Sequence, residues 1–251
     1  MTSAHAYVIL GAAGSGRHEV LADLLAGLPS SLRLVVCVSE RELEKATAAG
    51  LGGEATFILK TWKWEDGGIE VELPEGSTGF IFVSEGASNP VDQIEAFYYW
   101  SRNQRLDVAR ILSVVHCRLA YENPDLQKWY DACIHFSDYV LLNRREGVPE
   151  KWMKSFQERY RKLFYPCIFE MVKKGRVRNP ALVMDPLPRR LSQLFDDDDE
   201  EGAEPEEPGE AEGDALEVSL DPYFDRLPSG KRAREIPDIG GYLSGGDKVR
   251  E

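Results

Sequence analysis

The chain has 251 residues, 43% of them hydrophobic, enough for one sizeable domain with its own core and some extra segments. Its net charge of −13 comes from one stretch: residues 196–217 hold 13 acids and no base, leaving 30 acids and 30 bases elsewhere. A neutral body with an acidic run gives no support for nucleic-acid binding, which needs a basic face, and without ~18 consecutive apolar residues no helix is expected to span a membrane.

Cys37, Cys117, Cys133 and Cys167 show no C-x-x-C spacing, which argues against a structural zinc site or a disulfide framework and fits a reducing compartment. No basic segment precedes a long apolar stretch near the start, so no signal peptide is expected and the expected location is cytoplasmic.

In chain order, Ala6–Leu10 and Leu32–Val38 are short β-branched runs suited to strands buried on both faces. Between them, Val20, Leu21, Leu24, Leu25 and Leu28 recur at helical spacing. Ser39 with Glu42 three residues on predicts a capping box opening a helix that closes at Gly50. Asp66-Gly67-Gly68 between two strand-like runs predicts a β-hairpin. Gly79–Val83, Ala109–Val115 and Asp138–Asn143 read as strands; Val91–Gln104, Pro124–His135 and Pro149–Leu163 read as helices. A weaker strand and turn pattern runs to Val183, followed by a short helix near Leu191.

This alternation predicts a three-layer α/β domain with a mostly parallel sheet over residues 1–195, the hairpin being an insertion. Residues 196–215 are too acidic and apolar-poor to order and form a linker. Residues 216–251 regain apolar side chains and form a tail that is either a docking peptide for a protein partner or a frayed end.

Gly11–His18 reads GAAGSGRH, between a buried strand and a helical pattern. Its glycine spacing is that of a phosphate-binding loop, in which converging backbone N–H groups at a helix N-terminus hold an anion. A tight strand-to-helix turn is the alternative. Arg17 stands where the motif has lysine, and His18 stands where a Ser or Thr hydroxyl would meet Mg²⁺. A hard cation prefers oxygen, so losing that hydroxyl harms hydrolysis more than phosphate binding.

At the end of the strand-like run Asp138–Asn143, Asn143–Glu146 reads NRRE. It resembles the N-K-x-D guanine-recognition motif of P-loop GTPases, with Arg144 for the lysine and Glu146 for the aspartate; a polar turn is the alternative. Gly86 and Pro90 in "FIFVSEGASNPVDQIEAF" resemble the E-T-S-G-x-x-x-P segment of the CobW-type GTPases, the metallochaperone group related to hydrogenase and urease accessory GTPases. The run from Ile111 to Glu146 is similar to that family's V-V-D strand, helix and guanine motif, so the resemblance covers Ala6 to Phe195 by order and spacing. Departures are systematic: Val83 and Glu85 replace a glutamate and a serine, His116 replaces the aspartate of V-V-D, and the Trp62/Trp64 hairpin fills the interval of the metal-binding G-C-x-C-C segment. The family's C-terminal domain has no counterpart.

The resemblance implies a P-loop NTPase-like fold and a guanine-nucleotide-binding protein of CobW-like type with weak or absent hydrolysis. GTP or GDP would be the ligand, with Mg²⁺ in doubt. Gly11, Gly14, Ser15, Gly16, Arg17 and His18 would hold phosphates, and Asn143, Arg144 and Glu146 the base; no catalytic or metal-binding residue is assigned. The competing reading is a pseudo-GTPase whose fold serves as a protein-interaction module. A dinucleotide-dependent oxidoreductase is weaker, because GAAGSG is not G-x-G-x-x-G and only Ser39 and Glu40 end the second strand. The basic cluster from Arg159 to Arg178 reads as a solvated face, with contact to the acidic run as a further idea.

Overall fold

Runs such as YVIL, LVVCV and VLL carry too little polarity for an exposed face, so they form strands covered on both sides. The computed structural model describes residues 4–28, 33–52, 57–65, 67–74, 76–196 and 220–243. Its strands are β1 (Ala4–Gly11), β2 (Leu34–Ser39), β3 (Phe57–Glu65), β4 (Gly68–Glu70), β5 (Gly79–Val83), β6 (Leu106–His116), β7 (Tyr139–Asn143) and β8 (Ile168–Met171). Its α-helices are α1 (Arg17–Ala26), α2 (Leu43–Ala46), α3 (Pro90–Asn103), α4 (Cys117–Glu122), α5 (Gln127–His135), α6 (Glu150–Lys162), α7 (Pro180–Val183) and α8 (Gly240–Leu243).

The strands form one eight-stranded sheet in the order β4-β3-β2-β5-β1-β6-β7-β8. All neighbours pair in parallel except β3 with β4. Alternation along β1 sorts its side chains between two layers. Ala6, Val8 and Leu10 pack with Ile94 and Phe97 of α3 and Trp129 and Ile134 of α5, whereas Tyr7 and Ile9 pack with Val20, Leu21 and Leu24 of α1. The result is a three-layer α/β fold with a mostly parallel sheet. Parallel strands with helical crossovers bring Gly11, Ser39, Val83, His116 and Asn143 to one edge of the sheet, where such folds place their ligands.

The predicted hairpin forms, with Trp64 opposite Ile69, but it also extends the main sheet: β3 pairs with β2 from Leu34↔Phe57 to Ser39↔Trp62. Two local expectations differ. Ser39 Oγ accepts the Arg41 N–H (3.3 Å), but Glu42 does not complete a capping box, because its carboxylate is drawn to other donors. There is no helix near Leu191. Pro186 and Pro188 remove backbone donors there, and the segment is instead held by side chains. Asp138, fully buried at the start of β7, accepts the Ile111 N–H (2.6 Å), the Arg189 N–H and a guanidinium N–H of Arg190 (3.3 Å).

The acidic residues 197–219 lie outside the described residues. Residues 220–243 lie against the body: Tyr223, Phe224 and Ile239 are buried in the α3/α5 layer. Asp221 accepts from Ser192 Oγ (2.5 Å) and bonds His135 Nε2 (2.8 Å). Burial alone would raise its pKa, but these bonds outweigh burial and hold the carboxyl below its ordinary value. Asp92 and Glu95 of α3 pair with Arg232 at 2.5 Å each. No described helix is long and apolar enough to cross a membrane.

Candidate functional site

At the end of β1 the chain turns from Gly11 through Ala12–Ser15 into α1. Ser15 N–H donates to Ala12 O (3.0 Å), and Ala13 N–H donates to Gly86 O (2.8 Å) in the loop after β5. Gly16 has φ 86°, and a Cβ on it would stand 2.4 Å from Asn143 Nδ2, so only glycine lets the loop lie against the end of β7. No side chain caps α1, leaving its first-turn N–H groups facing outward with the positive end of the helix dipole.

Three buried polar atoms of this loop have no hydrogen-bond partner among the described residues: Ser15 Oγ, Arg17 Nε and His18 Nε2. Their residues are 0%, 2% and 6% exposed. Buried donors and acceptors are seldom left unmade, so three together on an uncapped helix N-terminus make this loop the candidate site. The adjoining cavity, about 170 Å³, is walled by Ala13, Gly14, Gly16, Arg17, His18 and Glu42, with exposed Lys45 at its rim.

Arg17 is turned inward. One terminal nitrogen donates to Ala12 O (2.9 Å) and the other to the Glu42 carboxylate, whose second oxygen accepts the Gly86 N–H (3.3 Å). A Cβ on Gly86 would fall 2.2 Å from the Arg17 guanidinium, so a glycine is also needed across the cavity. His18 Nε2 lies 3.7 Å from Glu42. Burial, reinforced by the Arg17 charge, lowers the His18 pKa to about 4, which keeps the imidazole neutral at pH 7.

The NRRE turn meets the loop directly. Asn143 Nδ2 donates to Ser15 O (2.8 Å), Arg144 Nε to Gly14 O (3.2 Å), and an Arg144 terminal nitrogen to Glu19 (2.9 Å). Beyond Arg144 lies a second cavity of about 200 Å³, walled by Asn143, Arg144, exposed Glu146 and the Lys173–Gly175 turn after β8. The structure thus brings all nine sequence-selected residues to one edge of the sheet, where one cavity is walled by the glycine loop and Glu42 and the other by Arg144 and Glu146. His116 is beside them: a Cβ on Gly14 would stand 3.9 Å from its ring, and its Nδ1 accepts the Leu119 N–H (3.1 Å) to cap α4.

The uncapped N–H groups at the start of α1 and the His18 imidazole suit phosphate oxygens, whereas Ser15 is fully buried behind the cavity wall and the Arg17 terminal nitrogens are engaged by Ala12 O and Glu42. The site does not fit a hard cation: residue 18 offers nitrogen, and the nearby carboxylate of Glu42 is engaged by Arg17. Among the described residues, no group of three or more His, Cys, Asp and Glu side chains is placed to hold a metal ion.

Sequence reasoning missed Glu42, which it assigned to a cap, and the Lys173–Lys174 turn, which it assigned to a solvated face. It also gave Trp62 no role; the indole, 1% exposed, donates to Val83 O (3.0 Å) and packs on Phe82, fixing the strand end that leads to Gly86. For Glu42, the only signal was an acid spaced just after the strand that follows the glycine loop.

No protein-family model and no curated protein matches the chain. Among solved structures it is similar to Zn(II)-bound YjiA GTPase from E. coli, with a TM-score of 0.45 and 13% identity, covering 74% of this chain and 62% of that one. It is also similar to a Zn(II)-bound triple mutant of YjiA GTPase, with a TM-score of 0.44, 13% identity and the same coverage. The chain therefore spans 62% of the length of the structures it matches.

Proposed function

We propose that the chain is a guanine-nucleotide-binding P-loop protein of CobW-like type with weak or absent hydrolysis. The observation that carries this reading is the trio of buried, unpartnered atoms on Ser15, Arg17 and His18 around an uncapped helix N-terminus. Phosphates would lie on the Gly11–His18 loop. The base would lie in the Asn143–Glu146 cavity, where the Glu146 carboxylate can accept from the N–H edge of guanine and Arg144 lines the wall while donating to Gly14 O of the loop. Hydrolysis would be weak because the chemistry needs metal charge on the leaving and transferred oxygens, and His18 supplies no hydroxyl to hold that metal.

A second reading, a pseudo-GTPase acting as an interaction module, is favoured by one feature: Glu42 already supplies an anion to Arg17. Calorimetric titration with GDP, GTP and ATP, with and without Mg²⁺, separates the two. Nucleotide binding predicts heat with GDP that is lost in Glu146→Ala. No heat and no thermal shift at millimolar nucleotide would leave the interaction module, and unchanged affinity in Glu146→Ala would mean the base is not read by that acid.

A further inference from the structure

Arg17 stands where a phosphate-binding loop places the residue that reaches the β and γ phosphates, yet its guanidinium is engaged by Glu42 and by Ala12 O. Gly86 N–H donates to the same carboxylate from across the cavity (3.3 Å). Two donors therefore converge on an anion that the chain itself provides. Glu42 is 5% exposed and forms a wall of the phosphate-loop cavity, so this carboxylate is inside the candidate site rather than beside it.

Resting on the nucleotide-binding reading, we propose that Glu42 sets the number of phosphates: the site takes a nucleoside diphosphate and discriminates against the triphosphate. A diphosphate can use groups that make no hydrogen bond to Glu42, namely the first-turn N–H groups of α1 and His18 Nε2. A terminal phosphate extending toward Arg17 meets a carboxylate of like charge in a buried setting, where repulsion is weakly screened. Displacing Glu42 strips Arg17 and the Gly86 N–H of their partner and leaves a carboxylate to be rehoused. The other charged groups facing the cavity do not reverse this. Lys45 is exposed at the rim, Glu19 adds a negative charge and is paired with Arg144, and His18 is neutral.

The test is calorimetry of the full chain with GDP and GTP in EDTA, for wild type, Glu42→Gln and Glu42→Ala, with melting curves confirming each fold. Wild type should bind GDP at least about tenfold more tightly than GTP, and both variants should narrow that ratio to within about threefold, by tightening GTP rather than weakening GDP. Wild type should likewise prefer pyrophosphate to tripolyphosphate, a readout that needs no variant. Equal affinity of wild type for GDP and GTP, or a preference that survives in the folded variants, overturns the role of Glu42 and leaves nucleotide binding standing. Binding of neither nucleotide to any of the three proteins overturns the nucleotide reading itself and, with it, the role of Glu42.

Discussion

Acidifying the protein from pH 7 to pH 4 should destabilise it through one imidazole in particular. His18 is 6% exposed, and burial together with Arg17 lowers its pKa from 6.5 to about 4 against the opposing pull of Glu42 and Glu19; Lys45 lowers it further. An unfolded chain takes up a proton on this residue near its ordinary pKa, whereas the native state does so only near 4. Between those values the unfolded state binds more protons, so stability falls as pH falls, by about 1.36 kcal/mol per pH unit. The contribution is fully present above pH 6.5 and levels off below pH 4. The window amounts to about 3 kcal/mol, a large part of the ~5–15 kcal/mol by which a domain is stable. Urea unfolding of wild type and His18→Gln at four pH values across this range isolates the residue, since every other titrating group is common to both. The stability of wild type relative to the variant should drop by about 3 kcal/mol from neutral pH to pH 4. A difference constant to within about 0.5 kcal/mol would refute the assignment of a buried, neutral His18.

Gly16→Ala should be less stable than Gly67→Ala by at least about 1 kcal/mol: both positions have positive φ, but only the first methyl would meet a neighbour, Asn143 Nδ2 at 2.4 Å. Equal losses in urea unfolding would show that strain alone acts at Gly16. Asp138→Asn leaves the Arg190 guanidinium, 1% exposed, without its buried counter-charge and should cost about 3–5 kcal/mol in denaturant unfolding; a loss below about 1 kcal/mol would remove the carboxylate as an anchor. Trp62→Phe removes the indole donor from the buried Val83 carbonyl and should cost about 1–3 kcal/mol, measured the same way. Tyr223→Ala and Phe224→Ala should each lower the melting point of the whole domain, because both rings are buried in the same layer as α3 and α5; an unchanged domain transition with faster proteolysis at residues 220–243 would show that this segment detaches on its own.

The layered fold was legible because its signals are local and mutually consistent. Buried strands such as Gly79–Val83 are continuous apolar runs, α3 opens on an Asn89 cap followed by Pro90, and the hairpin turn is glycine-rich. Pro186 and Pro188 argue against a helix near Leu191, where a buried carboxylate from far earlier in the chain, Asp138, does the holding instead. The glycine loop and NRRE were legible for a related reason. Positive-φ glycines and a polar strand end are local demands, and strand order alone brings Asn143 to within 2.8 Å of Ser15 O.

What the sequence concealed is how the departures from a phosphate loop fit together. Taken one at a time, Arg17, His18 and Glu42 read as a lost lysine, a lost hydroxyl and a helix cap. In the structure they form one unit. Arg17, planar and forked, reaches both Ala12 O and a carboxylate from a neighbouring crossover; that carboxylate sits 3.7 Å from His18 and accepts from Gly86; and His18, kept neutral, adds no charge that would draw a further phosphate. A double-mutant cycle makes the linkage measurable. If Arg17→Gln and Glu42→Gln each lower stability but together lower it by clearly less than the sum, the pair acts as one element, with a coupling of about 0.5–3 kcal/mol. Additive losses would mean that Glu42 answers to Gly86 and the fold rather than to Arg17.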